Sequence, residues 1–207
     1  WNAGSVFTEG GIPLADEVST PSQVPPPVEE TRPPSGFWDV PAANGYGQAI
    51  AWLGAEGITQ GCNPPWRDDY CPDRELTRGE AATLLVRAFG VPATGVDRFV
   101  DDDGSVHEAN INALAVAGIT VGCDLARFCA GEVLTRQEMA SMIARALDLP
   151  AVDTTDTFVD DDGNENEADI ERIAAAGITR GCTEIEFCPL RPIRRDEAAA
   201  MLFRALG

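Results

Sequence analysis

The sequence predicts a mostly α-helical protein of three tandem helix–loop–helix repeats behind a proline-rich extended arm. Three observations predict it. A set of short motifs recurs three times, in one order and at a near-constant step. Within each copy, apolar residues fall at helical spacing between helix start and stop signals. Ahead of them, Pro21, Pro25, Pro26, Pro27, Pro33 and Pro34 stand among Ser, Thr and Glu. That spacing of prolines forbids a helix or a central strand and favours extended chain.

The arm covers residues 1–36 and reads as a linker or a segment that lies along a partner. Its start, Trp1-Asn2-Ala3-Gly4, has neither the basic nor the apolar region of a signal peptide, so a mature or cut form is expected. Repeat 1 spans residues 37–90. It carries Phe37-Trp38-Asp39, then Gly57-Ile58-Thr59-Gln60-Gly61-Cys62, Cys71 and Leu76-Thr77-Arg78-Gly79-Glu80. Repeat 2 spans residues 98–148, with Phe99-Val100-Asp101, Gly118-Ile119-Thr120-Val121-Gly122-Cys123, Phe128-Cys129 and Leu134-Thr135-Arg136-Gln137-Glu138. Repeat 3 spans residues 157–207, with Phe158-Val159-Asp160, Gly177-Ile178-Thr179-Arg180-Gly181-Cys182, Phe187-Cys188 and Ile193-Arg194-Arg195-Asp196-Glu197. Arg78 to Arg136 is a step of 58 residues and Arg136 to Arg195 one of 59.

The first helix of each repeat places Ile50 and Leu53, Ile111 and Leu114, or Ile170 and Ile173 three apart, which makes a short apolar stripe. It is expected to stop at Gly57, Gly118 or Gly177 in a left-handed cap. The second helix opens on Thr77-x-x-Glu80 or Thr135-x-x-Glu138, the capping-box pattern, and Arg194 replaces the threonine in the third copy. Apolar positions follow at Leu84, Leu85 and Phe89, at Met142, Ile143 and Leu147, and at Met201, Leu202 and Leu206. One helix pair cannot bury its own apolar face, so a core shared by all three is expected.

In order and spacing, Phe-x-Asp, Gly-Ile-x-x-Gly and Thr-Arg-x-Glu resemble the S-layer homology (SLH) domain family, over about residues 37–207. The resemblance implies a pseudo-threefold helical bundle with grooves between repeats. It implies a non-catalytic module that binds cell-wall polysaccharide, often pyruvylated, at the bacterial cell surface. The family's groove arginine falls on Arg78, Arg136 and Arg195, where a planar guanidinium suits a sugar carboxylate. Gly61, Gly122 and Gly181 would let a sugar approach the backbone. The other reading makes the arginines exposed first-turn residues paired with nearby carboxylates. The repeats depart from the family by their cysteine pairs and by acidic entry segments in the second and third copies.

Those cysteines, Cys62 with Cys71, Cys123 with Cys129 and Cys182 with Cys188, put one pair in the same loop of every repeat. Local disulfides are expected, and with them an extracellular location. The alternative, zinc, is poorly served by these spacings and has no nearby histidine. The acidic segments offer Asp101, Asp103 and Glu108, and Asp160, Asp162 and Glu167, as hard oxygen ligands for calcium. The bland reading is a solvated helix N-terminus that favours carboxylates. Trp52 reads as core, and Trp66 as either a sugar-stacking or a loop-packing side chain.

Charge narrows the partners. The chain carries 34 acidic and 15 basic residues, net −19, which argues against nucleic acid and anionic lipid. No stretch approaches the roughly 20 apolar residues a membrane helix needs. His107 is the only histidine, and no nucleophile, zinc-protease or phosphate-loop motif occurs. The partner the SLH resemblance implies, a cell-wall polysaccharide, is compatible with this charge. The second possibility is a structural role in a surface layer or extracellular filament, with copies of the chain or another surface protein held through the arm.

Overall fold

Glycine and threonine punctuate the helices where the sequence places them. The computed structural model describes residues 31–152 and 156–207. It contains six helices: α1 (Gly47–Ala55), α2 (Arg78–Phe89), α3 (Glu108–Val116), α4 (Arg136–Ala146), α5 (Glu167–Ala175) and α6 (Arg195–Leu206). Among the described residues the only β pairings are three isolated bridges, and the fold is mostly helical as expected. No helix there is long and apolar enough to cross a membrane. Residues 1–30 of the expected arm lie outside the described residues.

The odd-numbered helices end alike. Gly57, Gly118 and Gly177 take φ of 69°, 73° and 72°. That left-handed turn brings Ile58 N–H to the Leu53 carbonyl, Ile119 to Leu114 and Ile178 to Ile173, each at 2.9 Å. These bonds cover carbonyls the helix would otherwise leave bare. Helices α2 and α4 begin with complete capping boxes at Thr77/Glu80 and Thr135/Glu138. At α6 the Glu197 carboxylate still accepts the Arg194 N–H at 3.1 Å, while the Arg194 guanidinium grips Asp196 instead.

Helices pair across repeats rather than within them: α2 against α3, α4 against α5, and α6 against α1. The expected stripes face the shared core. Ile50, Leu53, Ile111, Leu114, Ile170 and Ile173 are fully buried, as are Leu85, Ile143 and Leu202. Leu206 alone of the predicted set reaches the surface. Trp52 is partly buried, edge-on to Phe203 at 5.6 Å, so its place is the α1–α6 contact.

At the centre, three backbone hydrogen bonds close a ring. Leu76 donates to Ile193, Ile193 to Leu134, and Leu134 to Leu76, at 3.0, 2.9 and 2.9 Å. Each of these residues is two places ahead of an even-numbered helix and wholly buried. Each such helix then donates its first two N–H groups into another repeat: Arg78 and Gly79 to Glu132 and Ala130, Arg136 and Gln137 to Arg191 and Pro189, Arg195 and Asp196 to Arg74 and Pro72. Orphan donors at a helix start are thus satisfied by a neighbour's loop.

Those loops are the cysteine loops. Cys62–Cys71, Cys123–Cys129 and Cys182–Cys188 lie at disulfide distance, with Cα separations of 6.0, 5.9 and 6.0 Å. Loops this short favour disulfides by about 2–3 kcal/mol each, through lost freedom of the unfolded chain. Reducing all three should therefore lower the urea midpoint measured by circular dichroism. Restoring only one pair, with the other four cysteines changed to serine, should recover part of that loss.

Candidate functional site

The aspartate of each Phe-x-Asp motif holds a cysteine loop. Both carboxylate oxygens of Asp39 accept backbone N–H groups, from Tyr70 at 2.7 Å and Cys71 at 2.6 Å. Asp101 does the same for Phe128 and Cys129, and Asp160 for Phe187 and Cys188, at 2.7–2.9 Å. Asp101 and Asp160, expected as calcium ligands, thus hold the cysteine loop with both oxygens. The signal was available, because Asp39 recurs in the repeat that has no acidic segment. The bonds also hold Cys71, Cys129 and Cys188 at φ of 57–59°, a left-handed backbone that non-glycine residues rarely adopt.

Glu108 and Glu167, also expected as ligands, accept the N–H of Gly104 and Gly163 at 2.8 Å and so close the turns before α3 and α5. Asp103 and Asp162 are exposed on those turns.

The three arginines are not the exposed first-turn residues of the alternative reading: each opens a helix but is 3% exposed. Each reaches into another repeat. Arg78 Nε donates to the Phe128 carbonyl at 2.8 Å, Arg136 Nε to Phe187 at 2.9 Å, and Arg195 Nε to Tyr70 at 2.8 Å. The guanidinium lies over the ring of that same aromatic, 4.8–5.1 Å from its centre. Such a desolvated cation–π contact contributes up to about 2 kcal/mol.

The charge is met by the glutamate of another capping box. Arg78 pairs with Glu138, Arg136 with Glu197 at 3.6 Å, and Arg195 with Glu80 at 3.8 Å. Burial pulls Arg136 and Arg195 below the usual guanidinium range, against the opposing pull of Glu197 on one and of Tyr70 and Glu80 on the other. The buried Tyr70 hydroxyl donates to the Arg195 carbonyl at 2.8 Å, which ties the same pair of repeats again. The aromatic before each second cysteine is the partner that sequence reasoning overlooked.

Gly61, Gly122 and Gly181 have φ of 79°, 85° and 75°. A Cβ on any of them would stand 2.4–2.5 Å from a carbonyl oxygen of its own cysteine loop. Their backbone explains the glycine before any ligand is considered.

Two of the arginines lie beside such a glycine of another repeat. Arg195, not Arg78, meets Gly61, where its Nη2 donates to the carbonyl at 3.4 Å. This pair sits in a cleft of about 440 Å³ between the Thr59–Cys62 turn, α2 and the start of α3. Arg78 shares a cleft of about 220 Å³ with Gly122, against α4 and the start of α5.

The first cleft gathers Arg67, Arg87 and Arg195 with a single acid, Glu80. Thr83, Asn110 and His107 line its wall, with Thr83 Oγ1 2.8 Å from His107 Nδ1 and 3.0 Å from Asn110 Nδ2. Burial holds His107 below its ordinary pKa despite Glu80, with Arg87 acting in the same direction as burial. Arg87 and Arg204 donate to the Ile58 and Ile178 carbonyls, and Arg145 pairs with Asp169. Trp66 stands exposed in the first cysteine loop, so it does not serve as loop packing.

No family model matches the chain. An S-layer protein of Bacillus thuringiensis subsp. finitimus is 35% identical, over 80% of this chain and 21% of that protein. The chain thus spans about a fifth of the length of the relative it matches.

The buried clamps carry two predictions. Arg136→Ala removes a buried guanidinium with its bond to the Phe187 carbonyl and its place over the Phe187 ring, while Arg191 still meets Glu197, so chemical denaturation should show a loss of about 2–4 kcal/mol. Arg136→Lys keeps the charge without the fork or the stacking plane and should remain destabilised. The second concerns acid. Burial alone would raise Glu80 and Glu197, but Arg74 at one and Arg191 at the other, with the Thr77 and Arg194 N–H groups, hold both below the ordinary 4.5. A depressed carboxylate stabilises the fold above its unfolded value, and that contribution is lost as pH falls through the folded one. The urea midpoint should therefore fall as the pH is taken down through and below the ordinary carboxylate range.

Proposed function

We propose that this chain is a non-catalytic cell-surface module of the SLH type, which holds an anionic cell-wall polysaccharide in the clefts between its repeats. One observation carries the reading. In a chain of net charge −19, the cleft at Gly61 collects three arginines against one glutamate. Such local positive charge on an acidic protein selects a ligand bearing carboxylates, while the threonine and asparagine beside it suit sugar hydroxyls.

In this reading the clamped arginines contribute their field, and their buried faces hold the cleft open. The exposed Trp66 offers an aromatic face to a sugar ring nearby. Similarity to an S-layer protein supports a surface-layer role and a location at the bacterial cell surface.

A second reading rests on a different observation. Trp38, Val100 and Val159 hold one position in the three repeats, and all are exposed. Val100 and Val159 N–H groups bond the Ala126 and Ile185 carbonyls at 2.9 Å, which sets Val159 beside the exposed Ile185. Exposed apolar residues at repeated positions suit self-assembly into a layer.

A pull-down on wall sacculi tests both readings. Retention should be lost when the non-peptidoglycan polymer is stripped. Gln60→Trp and Val121→Trp fill the two clefts from exposed positions and should weaken retention about tenfold or more with no change in melting temperature. Retention that survives stripping and both substitutions sinks the cleft assignment. Absent retention together with concentration-dependent sedimentation favours self-assembly.

A further inference from the structure

Two buried carboxylates stand without any partner. Asp102 and Asp161 are 0% exposed, and no carboxylate oxygen of either has a hydrogen-bond partner among the described residues. A buried carboxylate left unpaired is strongly unfavourable, and nearby negative charge makes it worse.

Here the nearby charge is negative. Asp97 and Asp103 stand at Asp102, and Asp156 and Glu171 at Asp161. In each group one oxygen per residue lies within 4.8 Å of the others. Two oxygens bound on opposite sides of one calcium ion, at about 2.4 Å each, are separated by about that distance.

The first repeat serves as an internal control. Val40 follows Asp39 as Asp102 follows Asp101 and Asp161 follows Asp160, and Val40 is also 0% exposed. Next to it, Pro41 occupies the position of Asp103 and Asp162, and Ala51 that of Asn112 and Glu171. The fold therefore accepts an apolar side chain at this buried position. Charge appears there only in the two repeats that also supply the surrounding carboxylates.

We propose that Asp97, Asp102 and Asp103, and Asp156, Asp161 and Glu171, form two divalent-cation sites of the hard-oxygen kind that calcium takes. Each site joins the segment entering a repeat to the turn before its first helix, and in the third repeat to α5 itself through Glu171. Asp103 is common to this set and to the expectation from sequence. The buried aspartate, not the preceding one that holds the cysteine loop, is the central ligand. Consistent with a missing counter-charge, burial first and then Glu171 and Asp156 push Asp161 up to about 6. Burial, with Asp97 and Glu108, raises Asp102 as well.

The 207-residue chain, stripped with EDTA, is titrated with calcium chloride by calorimetry, and its melting temperature is followed in parallel. Two ions should bind per chain and the melting temperature should rise, as binding to the folded state requires. Magnesium at equal concentration should give the smaller shift. Asp102→Val and Asp161→Val, which install the residue of the first repeat, should each lose one ion, and the double variant both.

A further readout separates ligation from packing. In EDTA the valine variants should melt above the parent, because a stranded charge is gone, and in calcium below it. The proposal is overturned if the parent chain binds no calcium, if the double variant still binds two ions, or if magnesium acts equally.

Discussion

The arginine at the first position of each even-numbered helix is the interaction on which the rest of this molecule depends. Arg78, Arg136 and Arg195 each unite a backbone carbonyl, an aromatic face and a carboxylate that belong to other repeats. A charged group buried this deeply is tolerated because a carbonyl, a ring and a carboxylate all meet it. Remove the partner loop and the arginine has nowhere to go. The central ring of backbone bonds through Leu76, Ile193 and Leu134 places the helices, and the arginines fix their approach.

That dependence explains the cysteine loops. A loop that must present a carbonyl and a ring to a guanidinium cannot be allowed to wander. It is fixed by a disulfide, by an aspartate that bridges two successive N–H groups, and by a glycine where any side chain would strike the loop's own carbonyls. The three devices serve one purpose, and all three recur in every copy. The two clefts follow as a by-product: beside Arg195 and beside Arg78 a gap remains between one repeat's turn and the next repeat's helix start.

The negative charge is not spread evenly around this frame. Cations collect in the Gly61 cleft, while carboxylates collect at the entries to the second and third repeats. The two regions call for opposite partners. The positive cleft stands out locally against a field that is negative over the molecule as a whole. The first repeat, with Val40 in place of a buried aspartate, shows that the acidic entries are additions to the fold and not conditions for it.

What the sequence determined by itself was everything set by short spacing. The stripes of Ile50 and Leu53, the left-handed stop at Gly57, the capping box of Thr77 and Glu80, and the cysteine pairs six or nine residues apart all concern neighbours along the chain, and all were legible. The tertiary structure decided which repeat each side chain serves. Arg195 finds Tyr70 at a distance of 125 residues, and Arg78 finds Phe128 at 50, so no local pattern could assign those pairs. It also decided that Asp101 and Asp160 hold a loop while Asp102 and Asp161 go under the surface. Adjacent aspartates look alike in a sequence. They part only when chain from elsewhere offers N–H groups to one and a closed wall to the other, because burial and partnership are properties of the assembled core.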